Sequence, residues 1–147
     1  MTYYEILKTI KEYSESHPMV NSFFYNKYAL VGDESNIDYG VISLLAENHS
    51  VGTQASLYRF KIIYADRISD DNNSAQIQSV ALDTLREIVN AIALLDNISV
   101  STDLNINTFE NQFADRCAGA IADLQITSIS NLGECEYYKN KTEICEK

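Results

Sequence analysis

The sequence predicts a single α+β domain, in which an antiparallel β-sheet packs against an N-terminal helix and one long central helix. Three observations lead to this expectation. Apolar residues recur at helical spacing near the N-terminus and again over residues 74–95, and side chains alternate between polar and apolar over residues 56–68. The 147 residues suit one domain with one hydrophobic core. We expect this domain to span residues 1–130, followed by a C-terminal tail over residues 131–147.

The first helix is marked by sequence signals at both ends. Thr2 and Glu5 have the spacing of a capping box, in which each side chain accepts a hydrogen bond from the other residue's backbone N–H. Pro18 predicts an end near Ser16, because a proline disfavours helical geometry in the residue before it. Between these points the apolar side chains follow helical spacing: Tyr3, Ile6, Leu7, Ile10 and Tyr13.

Three strands are expected between the two helices. Residues 20–30 are rich in aromatic and β-forming side chains, and a turn over residues 32–36 separates them from a second strand over residues 39–47. Residues 49–52 are expected to end that strand. The third strand, residues 56–68, alternates clearly, with Tyr58, Phe60, Ile62 and Tyr64 on one face and Arg59 and Lys61 on the other.

The long central helix is expected over residues 74–95. Asn73 and Gln76 have capping-box spacing at its start. The Asp/Asn cluster at residues 70–73 lacks the alternate spacing, glycine and closing glutamate of a calcium loop, so we interpret it as a helix-capping loop rather than a cation site. One stripe of the helix is apolar: Ile77, Ala81, Leu85, Ile88, Ile92 and Leu95.

Further β segments are expected after this helix. Residues 98–100 form a short strand, and residues 102–111 are polar and irregular. Residues 113–130 alternate again as a long bent strand, with a bulge at Gly119. A helix over residues 117–124 is the competing interpretation, because alanine favours helices.

The charge of the chain bears on its function. It has 11 Lys and Arg residues against 21 Asp and Glu residues, a formal net charge of -10 at pH 7. A surface of that sign repels phosphates, which argues against nucleic-acid binding through counterion release. An acidic protein can instead line a path along which DNA slides, mimic DNA toward a basic partner, or simply gain solubility.

The sequence contains no catalytic or cofactor pattern. The glycines form no phosphate-binding loop, and His17 and His49 stand alone. Cys117 is expected to be a buried small hydrophobe, whereas Cys135 and Cys145 could pair only in an oxidising compartment. We therefore expect no enzymatic activity, no cofactor and no metal. We also expect no membrane span and no secretory signal, because the apolar runs are interrupted and the first residues lack a basic and an apolar region.

A tetrad of aromatic residue, Ala, Asp and Arg occurs twice, at residues 64–67 and 113–116. An arginine can bind a carboxylate bidentately, within one subunit or across a subunit boundary. Two interpretations stay open: ordinary salt bridges, contributing at most about 1 kcal/mol each, or contacts between subunits. In both cases we expect one ionic cluster at an edge of the sheet, formed by Asp66, Arg67, Asp115 and Arg116.

The C-terminal tail carries its own candidate contact residues. Residues 131–147 are charged and contain Tyr137 and Tyr138. Because tyrosine is enriched at protein interfaces, we expect these two side chains to contact a partner, and the tail to be flexible until that partner binds.

The order of these elements carries a family resemblance. An N-terminal helix and a strand group are followed by a strand ending at residues 64–68, a polar Asp/Asn loop, a long amphipathic helix and a closing segment around Phe-Ala-Asp-Arg-Cys-Ala-Gly at residues 113–119. This order resembles the small neck proteins of tailed bacteriophages, and more narrowly the tail-terminator and head-tail connector fold of crAss-like phages. The resemblance covers roughly residues 1–130.

The resemblance implies a structural virion protein that assembles in the bacterial host cytoplasm. Such proteins form homo-oligomeric rings of six or twelve subunits between portal and tail, and genomic DNA passes through the lumen without specific binding. The resemblance also makes the four residues of the ionic cluster candidates for contacts between subunits or rings. It implies that part of the acidic excess faces the lumen. A rival from another class is an acidic inhibitor or immunity-type protein that masks a basic partner in a one-to-one complex.

Overall fold

A computed structural model describes residues 1–26, 37–69, 73–101, 104–112 and 116–129 of the chain. Its elements are of the α+β class, and the predicted N-terminal helix is confirmed. In chain order they are α1 (Tyr3–Ser16), β1 (Ser22–Tyr25), β2 (Val41–Val51), β3 (Ala55–Arg67), α2 (Ser74–Ala93), β4 (Ile98–Val100), β5 (Ile106–Gln112) and β6 (Cys117–Ile129). Outside the described residues lie the predicted turn at residues 32–36, Asp115, and the tail with Tyr137 and Tyr138.

The six strands form one mixed sheet in the order β1-β2-β3-β6-β4, and β5 also pairs with β6. All neighbours are antiparallel except β1 and β2, which run parallel with Phe23 opposite Ile42. The prediction of a wholly antiparallel sheet is therefore wrong at this edge. Residues 26–40, between the two strands, are numerous enough to return the chain to the same end of the sheet, as a parallel pair requires.

β4 and β5 share one side of β6. β4 lies opposite residues 126–128 and β5 lies opposite residues 117–122, so the two act as one interrupted strand. The predicted irregular segment at residues 102–111 is wrong in its second half, where β5 begins. An edge strand tolerates polar side chains, and Asn107, Thr108 and Glu110 are all exposed. Because β5 therefore lacks a strong apolar alternation, the sequence pattern did not predict it as a strand. β6 is a strand throughout, which excludes the competing helix.

Both helices begin with the predicted capping boxes. The Thr2 hydroxyl accepts a hydrogen bond from Glu5 N at 3.2 Å, and the Glu5 carboxylate accepts one from Thr2 N at 2.7 Å. The bond from the Thr2 backbone, and to a lesser degree the Thr2 hydroxyl, lowers the pKa of the Glu5 carboxyl. Asn73 and Gln76 exchange the same pair of bonds at the start of α2, at 3.0 and 3.2 Å.

The helices cover one face of the sheet. α2 packs on β3 and β6, and α1 packs on α2 and β1. The two helices are also joined by His17 Nε2 and Glu87 Oε2, which lie 2.6 Å apart. The main core lies on this face, and its largest fully buried side chains are Ile6, Ile10, Ile42, Leu44, Phe60, Ile62, Tyr64, Ile77, Leu85, Ile88, Ile92 and Leu124.

The opposite face carries a smaller apolar cluster, which we call the second cluster. Its buried residues are Val41, Leu45, Ile63, Ala65, Phe109 and Cys117. The side chains of Phe24, Ile37, Tyr39 and Ile121 pack against it. The burial of Cys117 is as predicted, but sequence patterning missed that this face of β3 is apolar at one end.

Gly119 is required by close packing rather than by a bulge. It lies directly opposite Ala65 in the β3–β6 pair, and the register shift on the other side falls in β5, between Phe109 and Gln112. A Cβ atom on Gly119 would lie 2.9 Å from the backbone carbonyl carbon of Tyr64, closer than real Cβ atoms approach. The predicted bulge at Gly119 is therefore wrong.

Candidate functional site

The two Asp-Arg sequences converge at one end of the β3–β6 pair. Arg67 lies opposite Cys117. One step further, the Ile68 N–H donates a hydrogen bond to the Arg116 carbonyl oxygen at 3.1 Å. The expectation that the two sequences approach each other is therefore confirmed for the residues that the structure describes.

We call Tyr39, Asp66, Arg67 and Arg116 the sheet-end cluster. The Asp66 carboxylate accepts a hydrogen bond from the Arg67 backbone N–H at 2.8 Å. The Arg67 guanidinium carbon lies 5.9 Å from the centroid of the Tyr39 ring, within range of a cation–π contact. Arg116 has φ of 50°, in the left-handed region, at the turn into β6. Both arginine residues are exposed, and their backbones lie next to each other at this end of the sheet.

The cluster lies at the ends of central strands. β2 flanks β3 on one side, and β4 and β5 flank β6 on the other. The predicted location at an edge of the sheet is therefore wrong. The physical reason is that β6 pairs directly with β3. The edge of the sheet on that side is formed by β4 and β5, which precede β6 in the chain. A contact made here uses side chains rather than the free backbone groups of an edge strand.

The charge of Asp66 also acts on a buried neighbour in β3. Tyr64 is only 2% exposed, and its hydroxyl donates a hydrogen bond to the Met19 carbonyl oxygen at 3.3 Å. Burial, with a smaller contribution from the Asp66 carboxylate, raises the pKa of Tyr64 to about 12. The phenol is therefore held neutral well above its ordinary titration range.

A second group of side chains, the aromatic cluster, forms where the start of α1 meets β2 and β3. The ring of Tyr3 lies 4.9 Å from that of His49, 5.2 Å from that of Tyr58 and 6.0 Å from that of Phe60, measured between centroids. These separations are typical of favourable aromatic pairs. Tyr25 completes the cluster, because its hydroxyl lies 2.9 Å from the Tyr3 hydroxyl.

Hydrogen bonds set the tautomer of His49 within this cluster. The Arg59 N–H donates to His49 Nδ1 at 3.3 Å, so the neutral imidazole carries its proton on Nε2. Nε2 lies 3.2 Å from the Tyr3 hydroxyl and donates to it. Burial, followed by the hydrogen bond with Tyr25, raises the pKa of Tyr3. The contacts form a polar chain that runs from the sheet to Tyr25.

Tyr25 also lines an apolar groove of about 340 Å³ between α1 and β1, which we call the α1–β1 groove. The other lining residues are Tyr4, Leu7, Lys8, Lys11, Phe23 and Leu44. None of the described residues that line it is acidic. In a chain with a large acidic surplus, an apolar groove with two lysines is a distinctive surface.

Two further features, a metal site and a membrane-spanning helix, are not found within the described ranges. No group of three or more His, Cys, Asp or Glu side chains in this part of the chain is placed to hold a metal ion. None of its helices is long and apolar enough to cross a membrane. No protein-family model matches the chain, and no curated protein matches it significantly.

The aromatic cluster was missed by sequence reasoning for a definable reason. The register between β2 and β3 shifts between Ala46 and His49, so β2 has one extra residue there and residues 47 and 48 together lie opposite Arg59. A bulge of this kind changes which side chains point to which face. It places His49 against Tyr3, on the helix-covered face, although simple alternation from Ala46 excludes it from that face. The polar Glu47-Asn48 pair is the signal in the sequence that could have indicated the bulge.

Proposed function

We propose that this protein is a subunit of a homo-oligomeric ring in the neck or tail-completion region of a tailed bacteriophage. The observation that carries the proposal is the convergence of the exposed Arg67 and Arg116 at one end of the sheet. The sheet backed by α1 and by α2, as its long central helix, is the rigid unit that the ring repeats.

Charge complementarity supports contacts between copies of the chain. Basic residues number 11 and acidic residues 21, so the exposed Arg67 and Arg116 can pair with carboxylates that another copy carries in excess. Such a contact joins two different surfaces and is heterologous. Repetition of a heterologous contact closes a ring when the rotation between subunits permits it.

The remaining acidic surplus supports a role around DNA. A lumen lined by carboxylates repels the phosphate backbone and lets DNA move without sticking. In this proposal the ring has six or twelve subunits, stacks on a portal, neck or tail ring protein, and becomes part of the virion after assembly in the host cytoplasm.

The sheet-end cluster provides the mutational test. Arg116→Glu reverses one charge at an exposed position, and we expect it to weaken assembly by at least about tenfold. The matched control is Arg86→Glu, because Arg86 is also exposed and contacts Asp83 within α2, at 3.0 Å. Light scattering and electron microscopy measure the assembly, and circular dichroism checks the fold of each variant.

The outcomes separate the proposal from its rival. Unchanged assembly of Arg116→Glu contradicts the role of the sheet-end cluster. A wild-type protein that stays monomeric, both alone and mixed with portal or tail ring protein, contradicts the ring. A tight one-to-one complex with a basic partner, and no ring under any of these conditions, instead favours the acidic inhibitor.

A further inference from the structure

The α1–β1 groove combines apolar surface with positive charge. Its two lysines each lie near a glutamate one turn further along α1, Lys8 at 3.9 Å from Glu12 and Lys11 at 3.7 Å from Glu15. All four side chains are more than half exposed, and such pairs contribute little to stability. The lysines are therefore available to a ligand. A complementary ligand is acidic and also carries aromatic or apolar side chains.

One segment of the chain itself has this composition. Residues 134–138 are Glu-Cys-Glu-Tyr-Tyr, with two carboxylates followed by two tyrosines. The carboxylates are complementary to the two lysines. Tyrosine is an efficient anchor in an apolar groove, because it buries a large area and loses few rotamers.

The end of β6 leaves this segment within reach of the groove. Ser128 Oγ donates a hydrogen bond to the Met1 carbonyl oxygen at 2.9 Å, so the chain beyond Ile129 starts beside the first turn of α1. Residues 134–138 begin five residues further on, a span of about 16 Å in an extended chain. Lys8 and Lys11 lie about 10–15 Å along the helix from Met1. A tether this short gives an effective concentration in roughly the millimolar range.

We propose that residues 134–138 dock in the α1–β1 groove of their own chain. Glu134 and Glu136 pair with Lys8 and Lys11, and the two tyrosines lie on the apolar surface. The contact holds the C-terminal segment between α1 and β1. It does not depend on ring formation, because one copy of the chain supplies both partners.

Zero-length carbodiimide cross-linking of the full-length protein tests the proposal. Equal amounts of unlabelled and ¹⁵N-labelled protein are mixed in denaturant and refolded together, so that any oligomer contains both isotopes. The mixture is cross-linked and digested, and the linked peptides are identified by mass spectrometry. We expect links from Glu134 or Glu136 to Lys8 or Lys11 at least about tenfold more often than to Lys61, and always between peptides of the same isotope.

Internal pairs and two variants calibrate the cross-linking measurement. Lys61 lies 3.6 Å from both Glu47 and Asp123, so links from its amine to either carboxylate show that the reaction works. Replacing both tyrosines, Tyr137→Ser with Tyr138→Ser, removes the anchors while keeping every carboxylate, and lowers the links by about fivefold. The matched control is Ile144→Ser, an apolar change elsewhere in the tail, which leaves the links unchanged.

Three results overturn the proposal. The first is an even spread of links from Glu134 and Glu136 over lysines of all surfaces. The second is the same yield from the double tyrosine variant as from the wild type. The third is links between peptides of different isotopes, which place the segment on another copy. A failed ring test has no bearing on these measurements, because the expected links form within a single chain.

Discussion

The two faces of the sheet differ in how far burial extends along the same strand. On the helix-covered face of β3, three alternate side chains are all buried: Phe60, Ile62 and Tyr64. The opposite face changes along its length. At one end of β3 it presents the partly exposed Arg59 and Lys61, and at the other it buries Ile63 and Ala65 in the second cluster.

The difference follows from what covers each face. Both helices pack on the first face. Within the described residues, the second face is covered where Phe24, Ile37, Tyr39 and Ile121 pack against the second cluster. The first face therefore supplies most of the buried apolar area and most of the hydrophobic stabilisation. The second face divides into a small cluster near the arginines and a charged surface toward the other end.

Truncation of two neighbouring isoleucines in β3 gives the largest expected change in stability, and it tests whether the two faces differ. Ile62 is 0% exposed in the main core and Ile63 is 3% exposed in the second cluster. Truncation of a buried isoleucine to alanine costs about 2–5 kcal/mol, depending on how far the surroundings relax. We expect Ile62→Ala to fall near the upper end, because the layer around it is fixed by helices. We expect Ile63→Ala to fall near the lower end.

Urea denaturation of the two variants measures the comparison, and each serves as the other's control. The free energy of unfolding is taken from the midpoint with a common slope. Equal costs, or a larger cost for Ile63→Ala, contradict the view that one face carries most of the stability.

Sequence reasoning predicted the parts of this fold that depend on local chemistry. Capping boxes at Thr2 and Asn73 and the alternation of β3 are encoded in neighbouring residues, so they are visible without a structure. The parallel β1, the insertion of β6 beside β3 and the shifted register at His49 depend on contacts between distant segments. The approach of the two Asp-Arg sequences was predictable, because it follows from the direction of antiparallel strands. Their central position in the sheet was not, because it depends on which distant strands become neighbours.

The buried hydroxyl of Tyr64 gives a smaller change in stability, which depends on pH and tests the burial of the helix-covered face. Its pKa is raised to about 12 by burial and by Asp66, above the ordinary value of 10.0. The stabilisation of the neutral phenol is fully present below pH 10 and is lost as the pH rises toward 12, because the unfolded chain ionises first. We expect the wild-type free energy of unfolding to fall over this window.

Tyr64→Phe isolates that contribution. At neutral pH the variant loses one long hydrogen bond to Met19 and about 1 kcal/mol. Between pH 10 and 12 its stability falls less steeply than that of the wild type, because the buried group no longer titrates. Thermal unfolding across this pH range measures both effects. Parallel curves for the two proteins show that Tyr64 does not cause the alkaline loss.

Lys61 gives the smallest expected effect, on the charged part of the opposite face. Its amine lies 3.6 Å from Glu47 and 3.6 Å from Asp123, so one cation bridges β2, β3 and β6. The side chain is 45% exposed, and such pairs contribute at most about 1 kcal/mol. We expect Lys61→Ala to lower the free energy of unfolding by less than this, and the loss to shrink in 1 M salt, where charges are screened within about 3 Å.

Lys61→Met is the control for this last variant, because it keeps most of the apolar stem and removes only the charge. If charge pairing dominates, the alanine and methionine variants lose similar stability at low salt and both approach the wild type in 1 M salt. A loss confined to Lys61→Ala and insensitive to salt shows instead that the stem packs on the sheet. In that case the apolar part of the opposite face extends beyond the second cluster, and the two faces are more alike than their burial indicates.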